Sequence, residues 1–333
     1  LMYPPDPGSV DTATMGGSVA ECSGGLRGLK YGVTKHYVMG LEVVLANGKI
    51  MTCGGKTVKN VSGYDMVKLF VGSEGTLGII TKIISKLIPA PEARKTATAT
   101  FTSIDDAAQT VSGIIKSKVI PATLEIMDNV TIKTVENFLH LGLPIDAEAI
   151  LVIEVDGIPE VVEKEMDAVA RVCKANNGNL KIAANAAERD GLLAARRAAL
   201  PALAQLSPTT VLEDATVPRS KVPDMIRAIR AVAEKYNLTI GTFGHAGDGN
   251  LHPTIITDEA NTDEMARVHK AVDEIFDAAI KLGGTLSGEH GIGIAKQKYL
   301  LNEFGESGLE ALKAVKRALD PDNTLNPGKV VTI

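Results

Sequence analysis

Apolar positions follow two different rhythms along the chain. Up to about residue 90 they come in short runs broken by glycine. Leu41-Glu42-Val43-Val44-Leu45, then Asn47-Gly48, then Ile50-Met51-Thr52 predicts a hairpin closed by a tight primed turn. The run 77–88 predicts a strand stopped by Pro89 and Pro91. From about residue 95 the rhythm alternates between strand-like runs and helical stripes. Strands are expected at 96–101, 122–127, 150–155, 182–184, 210–215 and 238–243. Helices are expected at 104–116, near 130–138, at 158–176, 188–203, 220–235 and 262–282, with two shorter ones at 295–303 and 306–318. Asp105 and Asp106 suit the first turn of their helix, where the backbone N–H groups are unpaired. This alternation predicts an α+β fold: a large, mostly antiparallel sheet covered by helices on one face.

Composition narrows the class. With 333 residues, 45% of them hydrophobic and 23% charged, the chain can bury a full core. A net charge of −5 gives no general attraction to nucleic acid. No apolar run is long enough for a membrane-spanning helix. Cys22, Cys53 and Cys173 lie far apart without CxxC spacing, which suits a reducing compartment, so a cytoplasmic protein is expected, or one held at the membrane periphery through partners.

Glycine density marks the first candidate chemistry. Residues 8–32 and the run Val71-Gly72-Ser73-Glu74-Gly75-Thr76-Leu77-Gly78-Ile79-Ile80 can bring bare main chain against a phosphate or a flat ring, although tight turns explain either run equally well. Neither run is a GxGxxG following a strand, so a dinucleotide fold of that kind is not expected.

Taken in order, Pro7-Gly8-Ser9, Thr14-Met15-Gly16-Gly17, Gly24-Gly25 through Tyr31-Gly32, Lys59-Asn60-Val61-Ser62-Gly63-Tyr64-Asp65 and Gly72-Ser73-Glu74-Gly75-Thr76-Leu77-Gly78 resemble the second FAD subdomain of the vanillyl-alcohol-oxidase-type flavoproteins. The resemblance is to the branch of glycolate oxidase catalytic subunits, D-lactate dehydrogenases and D-2-hydroxyglutarate dehydrogenases, and it runs from about residue 4 to 330. It implies FAD as cofactor, contacted by Pro7, Gly8, Thr14, Met15, Gly16, Gly17, Gly24, Gly25, Tyr31, Gly32, Glu74, Gly75, Gly78 and Ile79, with Asn326 of the closing Asn326-Pro327-Gly328 turn returning to the flavin. It also implies a first FAD subdomain before residue 1, so this chain would supply one wall of the flavin site. The domains expected are a second FAD subdomain over 1–92, a substrate or cap domain with a metal site over 93–290, and a C-terminal helical segment over 291–333.

The second candidate site is Gly244-His245-Ala246-Gly247-Asp248-Gly249-Asn250-Leu251-His252. A tight turn there can fold the chain so that both imidazoles converge from adjacent strands. Imidazole suits divalent Zn, Mn or Fe, and Glu289 in Ser287-Gly288-Glu289-His290-Gly291 can add a carboxylate while leaving positions open for substrate. Half of the six histidines fall in these two motifs, which favours a site over scattered core or surface histidines. Asp248 is read as a turn-stabilising side chain.

The resemblance implies roles: His245, His252 and Glu289 as metal ligands, His290 as the base, and Arg196 in the helix around 192–201 as the anchor of the substrate carboxylate, ahead of its neighbour Arg197. It implies oxidation of a D-2-hydroxy acid to the 2-keto acid, the metal acidifying the hydroxyl and the hydride passing to flavin N5. Glu213 and Asp214 in the strand near a far pocket disfavour a second substrate carboxylate, which points to lactate or glycolate. An acceptor protein or quinone, and other subunits of an oxidase or dehydrogenase complex, are the expected partners. A non-catalytic flavoprotein subunit of the same fold would be expected to lose the metal ligands. A metal-dependent hydrolase leaves the glycine-rich first 80 residues unexplained.

Overall fold

The structure, a computed structural model, describes residues 1–333. Its contacts divide it into two compact units. The first comprises 1–27, 31–90 and 286–333, and the second comprises 28–30 and 91–285.

In the first unit, strands β1 (Val38–Val44), β2 (Ile50–Gly54) and β3 (Ile79–Ser85) form a three-stranded antiparallel sheet in the order β2-β1-β3. The β1–β2 connection is not the expected primed turn. Gly48 has φ +77° while Asn47 keeps a negative φ, and Leu45 donates to the Lys49 carbonyl and accepts from the Gly48 N–H. A primed turn of this kind needs positive φ at both central residues; here a three-residue loop with one left-handed glycine closes the hairpin instead. Val43, Leu41, Phe70 and Val19 form the buried core of this unit. The expected pair of C-terminal helices is present: the stretch Leu300–Leu319 is broken in two where Gly305 leaves helical geometry at φ +65°.

In the second unit, β4 (Ala93–Phe101), β5 (Thr123–Asp128), β6 (Ala149–Gly157), β7 (Asn179–Ile182), β8 (Thr209–Leu212), β9 (Ala215–Thr216), β10 (Thr239–His245) and β11 (Asn250–Thr257) form one sheet in the order β7-β4-β6-β5-β10-β11-β8, with β9 also on β11. Every pairing is antiparallel. Both faces of its centre are buried. Leu124, Ile126, Leu151 and Ile153 lie on one face, and Glu125, Met127, Ile150 and Val152 on the other. Helices therefore cover both faces, not one as the alternation suggested. Ile104–Lys116, Pro159–Ala175, Val222–Tyr236 and Thr262–Lys281 pack on one another as a layer. Asn129–Leu139, Ala186–Arg197 and Ala199–Leu203 join Met127, Ile150, Val152 and Phe243 in a core on the opposite face. That second face carries the candidate chemistry. No helix is long and apolar enough to cross a membrane, and all three cysteines are free.

Candidate functional site

The Gly-rich segment between the two histidines folds as the sequence predicts. β10 and β11 are antiparallel with Phe243 opposite His252 and His245 opposite Asn250, and the chain reverses over 246–249. Side chains two apart on a strand share a face, so Phe243, His245, Asn250 and His252 all point the same way. The two histidines become diagonal neighbours, with ring centroids 5.2 Å apart and planes near perpendicular at 89°. Their candidate ligand nitrogens lie within 4.8 Å of each other. Gly249 makes the reversal possible. It sits at φ +92°, and any Cβ would strike the Val217 carbonyl oxygen. Asp248 accepts from the Asn250 N–H at 3.2 Å, in keeping with a turn role.

Both imidazoles are backed by buried carboxylates. His245 Nδ1 is 2.8 Å from Glu125 Oε1, and His252 Nδ1 is 3.8 Å from Asp214 Oδ1. Glu125 stands on β5, one step along from the Met127–Phe243 and Ile126–Gly244 pairs, which brings it beside His245. Its second oxygen is 2.7 Å from Arg196 Nε. That N–H is not aimed along the line of approach, so the contact is an ion pair with no hydrogen bond formed. Burial pushes the Glu125 carboxyl up, but His245 and Arg196 beside it outweigh this and hold it below its ordinary range. Asp214 follows β8 and is fully buried.

Arg196 lies in the last turn of the helix Ala186–Arg197, is 5% exposed, and stacks its guanidinium 4.8 Å from the centre of the Phe243 ring. Its Nε and Nη2 are buried without a hydrogen-bond partner. With Nε already ion-paired to Glu125, the Nη2 group is left unmet, which is costly, and an incoming carboxylate is an acceptor that suits it. The cluster also fits a divalent ion. Nδ1 of His245 is held by Glu125, which leaves its Nε2 as the nitrogen for a metal, a common arrangement for histidine ligands.

The remaining sequence-predicted residues lie in the first unit. Thr14 caps the helix Met15–Glu21, accepting from the Gly17 N–H at 3.0 Å. Residues 8–17 are exposed, and Gly8 and Gly16 have open space where a side chain would stand. Ser73 Oγ is buried without a partner. Bare main chain and an unmet hydroxyl of this kind suit a flavin ring or pyrophosphate. Gly25 has φ +117° and is pressed against the Asp6 carbonyl, so its backbone conformation alone demands glycine. Gly24 faces the Glu289 carboxylate, and Gly78 lies against Val43. The Tyr31 carbonyl accepts from the Tyr37 hydroxyl at 2.7 Å. Gly32 packs on His36, and Gly75 stands near Asn326. Met15 and Ile79 expose their side chains.

Glu74 and Asn326 are brought together. Asn326 Nδ2 donates to the Glu74 carbonyl at 2.6 Å, while the Glu74 carboxylate accepts from the N–H groups of Ile292 and Gly293 at 2.6 and 2.8 Å. Glu289, half-buried, and His290, exposed, precede those two N–H groups by a few residues. The sequence reading passed over Glu125. Its signal was a lone carboxylate inside the apolar run Leu124-Glu125-Ile126-Met127.

Residues 90–330 match the family model for the C-terminal domain of FAD-linked oxidases, and residues 1–54 match an FAD-binding domain. Glycolate oxidase subunit GlcD of Bacillus subtilis (strain 168) is 56% identical over 99% of the chain, which spans 70% of that relative. The probable mitochondrial D-lactate dehydrogenase of Danio rerio is 35% identical over the whole chain, which spans 67% of it. Among solved structures, p-cresol methylhydroxylase with substrate bound is 18% identical with a TM-score of 0.71, over 95% of this chain and 68% of that one, a likeness of fold.

Proposed function

This chain belongs to the FAD-linked oxidase family, and on that premise we propose that it carries the substrate-binding part of an FAD-dependent, metal-assisted D-2-hydroxy-acid dehydrogenase or oxidase acting on lactate or glycolate. The observation that carries the proposal is the buried cluster of His245, His252 and Arg196. Two imidazoles and a guanidinium with unmet N–H groups share one face of the sheet. A 2-hydroxy acid presents a hydroxyl and a carboxylate on adjacent carbons, which suits such a cluster.

Arg196 takes the substrate carboxylate through its free N–H groups, with Phe243 holding the guanidinium plane. His245 and His252 would hold the divalent ion, His245 through Nε2 because its Nδ1 is steadied by Glu125. The ion, when bound, lowers the pKa of the substrate hydroxyl. Glu289 as the carboxylate ligand and His290 as the base that takes the hydroxyl proton rest on the family resemblance. FAD, when bound, supplies the hydride acceptor. Further subunits and an acceptor protein or quinone are the partners proposed, supported by the subunit naming of the Bacillus subtilis relative.

Elemental analysis of the complete protein and of His252→Ala tests the metal centre. The account expects near-stoichiometric Zn, Mn or Fe in the wild type and its loss in the variant. No metal in either after reloading would remove the metal from the mechanism.

A further inference from the structure

We infer that Glu125 is a positioning residue: its single buried carboxylate sets the tautomer of His245 and the bearing of Arg196 at once. The inference rests on the reading of the cluster as a metal and substrate site, and it adds a residue that links the two halves of that site.

The geometry is direct. Glu125 is 1% exposed in the centre of an eight-stranded sheet, where a carboxylate is kept only if its oxygens are matched. Oε1 lies 2.8 Å from His245 Nδ1 and Oε2 lies 2.7 Å from Arg196 Nε. A carboxylate only accepts, so the proton of neutral His245 is held on Nδ1 and the lone pair is left on Nε2. The same group gives the guanidinium an anchor on one side, and the Phe243 ring gives it a plane to lie on. Neither contact satisfies Nη2 of Arg196, so the anchor holds Nε and leaves that nitrogen for a ligand.

No other side chain of this length can serve both partners. A glutamine has one accepting and one donating end. If its oxygen faces His245, its NH2 group meets the cationic Arg196. If its oxygen faces Arg196, its NH2 group meets Nδ1, which favours the tautomer with the proton on Nε2. Aspartate is one methylene short of both contacts. Glu125→Gln therefore keeps shape and hydrogen-bonding capacity yet must fail one partner or the other. A side chain that only filled space would show no such split.

The test uses the complete, FAD-loaded protein and Glu125→Gln, with three readouts. Nitrogen-15 spectra of labelled histidine, taken after chelator treatment, report the His245 tautomer; Zn2+ alone, titrated against a chromophoric chelator, reports metal affinity; steady-state kinetics with D-lactate and glycolate separate KM from kcat. The wild type should show Nδ1–H at His245. The variant should lose that single tautomer, bind Zn2+ roughly 10- to 100-fold more weakly, and show a raised KM. An Nε2–H tautomer at His245 in the wild type overturns the inference, and this measurement stands even if the variant does not fold. Unchanged tautomer and Zn2+ affinity in a folded variant overturn it as well. If the wild type takes up no Zn2+, the metal reading fails separately, and the tautomer still decides the role of Glu125.

Discussion

Arg196 is the residue whose chemistry is easiest to isolate. Its charge is compensated by Glu125 through Nε and its plane by Phe243, yet its buried Nη2 has no acceptor. Lysine keeps the charge and loses the planar fork. Arg196→Lys should therefore fold and bind metal, while the concentration of hydroxy acid needed for half-maximal rate rises by about ten- to a hundredfold, the worth of a charge-assisted hydrogen bond. An unchanged KM would assign the carboxylate to another group. At this scale the sequence was informative where residues cluster by spacing. His245 and His252 are seven apart around glycines, and one turn brings them together. It was uninformative for Glu125, which reaches His245 from 120 residues away. Only the pairing of β5 with β10 makes them neighbours.

Elements hold these residues through a few backbone positions. The β10–β11 reversal depends on Gly249, at φ +92° with the Val217 carbonyl where a side chain would begin. Gly249→Ala should destabilise the protein by about 2 kcal/mol or more and lower metal occupancy with it, read by thermal unfolding alongside elemental analysis. Full stability in that variant would contradict the role given to the turn. β11 carries Pro253, a residue that speaks against a central strand. The structure accommodates it where the ladder is interrupted. β8 pairs with β11 from Thr254 onward and β9 pairs at Asn250 and Leu251, so Pro253 lies opposite the Glu213–Asp214 break. The expected helix over 188–203 is split at Ala198 for a similar reason. Pro201 lacks an N–H and its ring crowds the carbonyl four residues back, at Arg197, where the first helix ends. Arg196 thus sits in the last turn of a short helix, with its side chain buried.

Across the whole molecule, two buried polar groups set how stability responds to sequence and pH. In the first unit, Lys316 is 1% exposed and donates to Asp320, to the Thr76 carbonyl at 2.9 Å and to the Leu325 carbonyl at 2.8 Å. Lys316→Met leaves Asp320 buried without its cation and should cost on the order of 3 kcal/mol, measured by chemical denaturation; a neutral effect would show that the contacts are incidental. In the second unit, burial raises the Asp128 carboxyl to about 6, against the N–H bonds it accepts from Thr131 and Thr242. A carboxyl raised in the folded state holds its proton more tightly than the unfolded chain does. Its contribution is fully present below the unfolded value near 3.8 and is lost as pH rises through about 6. Wild type should therefore lose on the order of 3 kcal/mol between pH 4 and 7 relative to Asp128→Asn. Parallel pH profiles for the two proteins would refute this.

On the function proposed above, the cluster on this sheet face serves oxidation of a D-2-hydroxy acid by bound FAD. The most direct test of this is anaerobic mixing of the complete, FAD-loaded protein with D-lactate or glycolate while the oxidised-flavin absorbance is followed. The account predicts bleaching with D-lactate or glycolate, little with L-lactate, and a requirement for much higher substrate in Arg196→Lys. A flavin that stays oxidised with every D-2-hydroxy acid, in protein loaded with both FAD and metal, would contradict it.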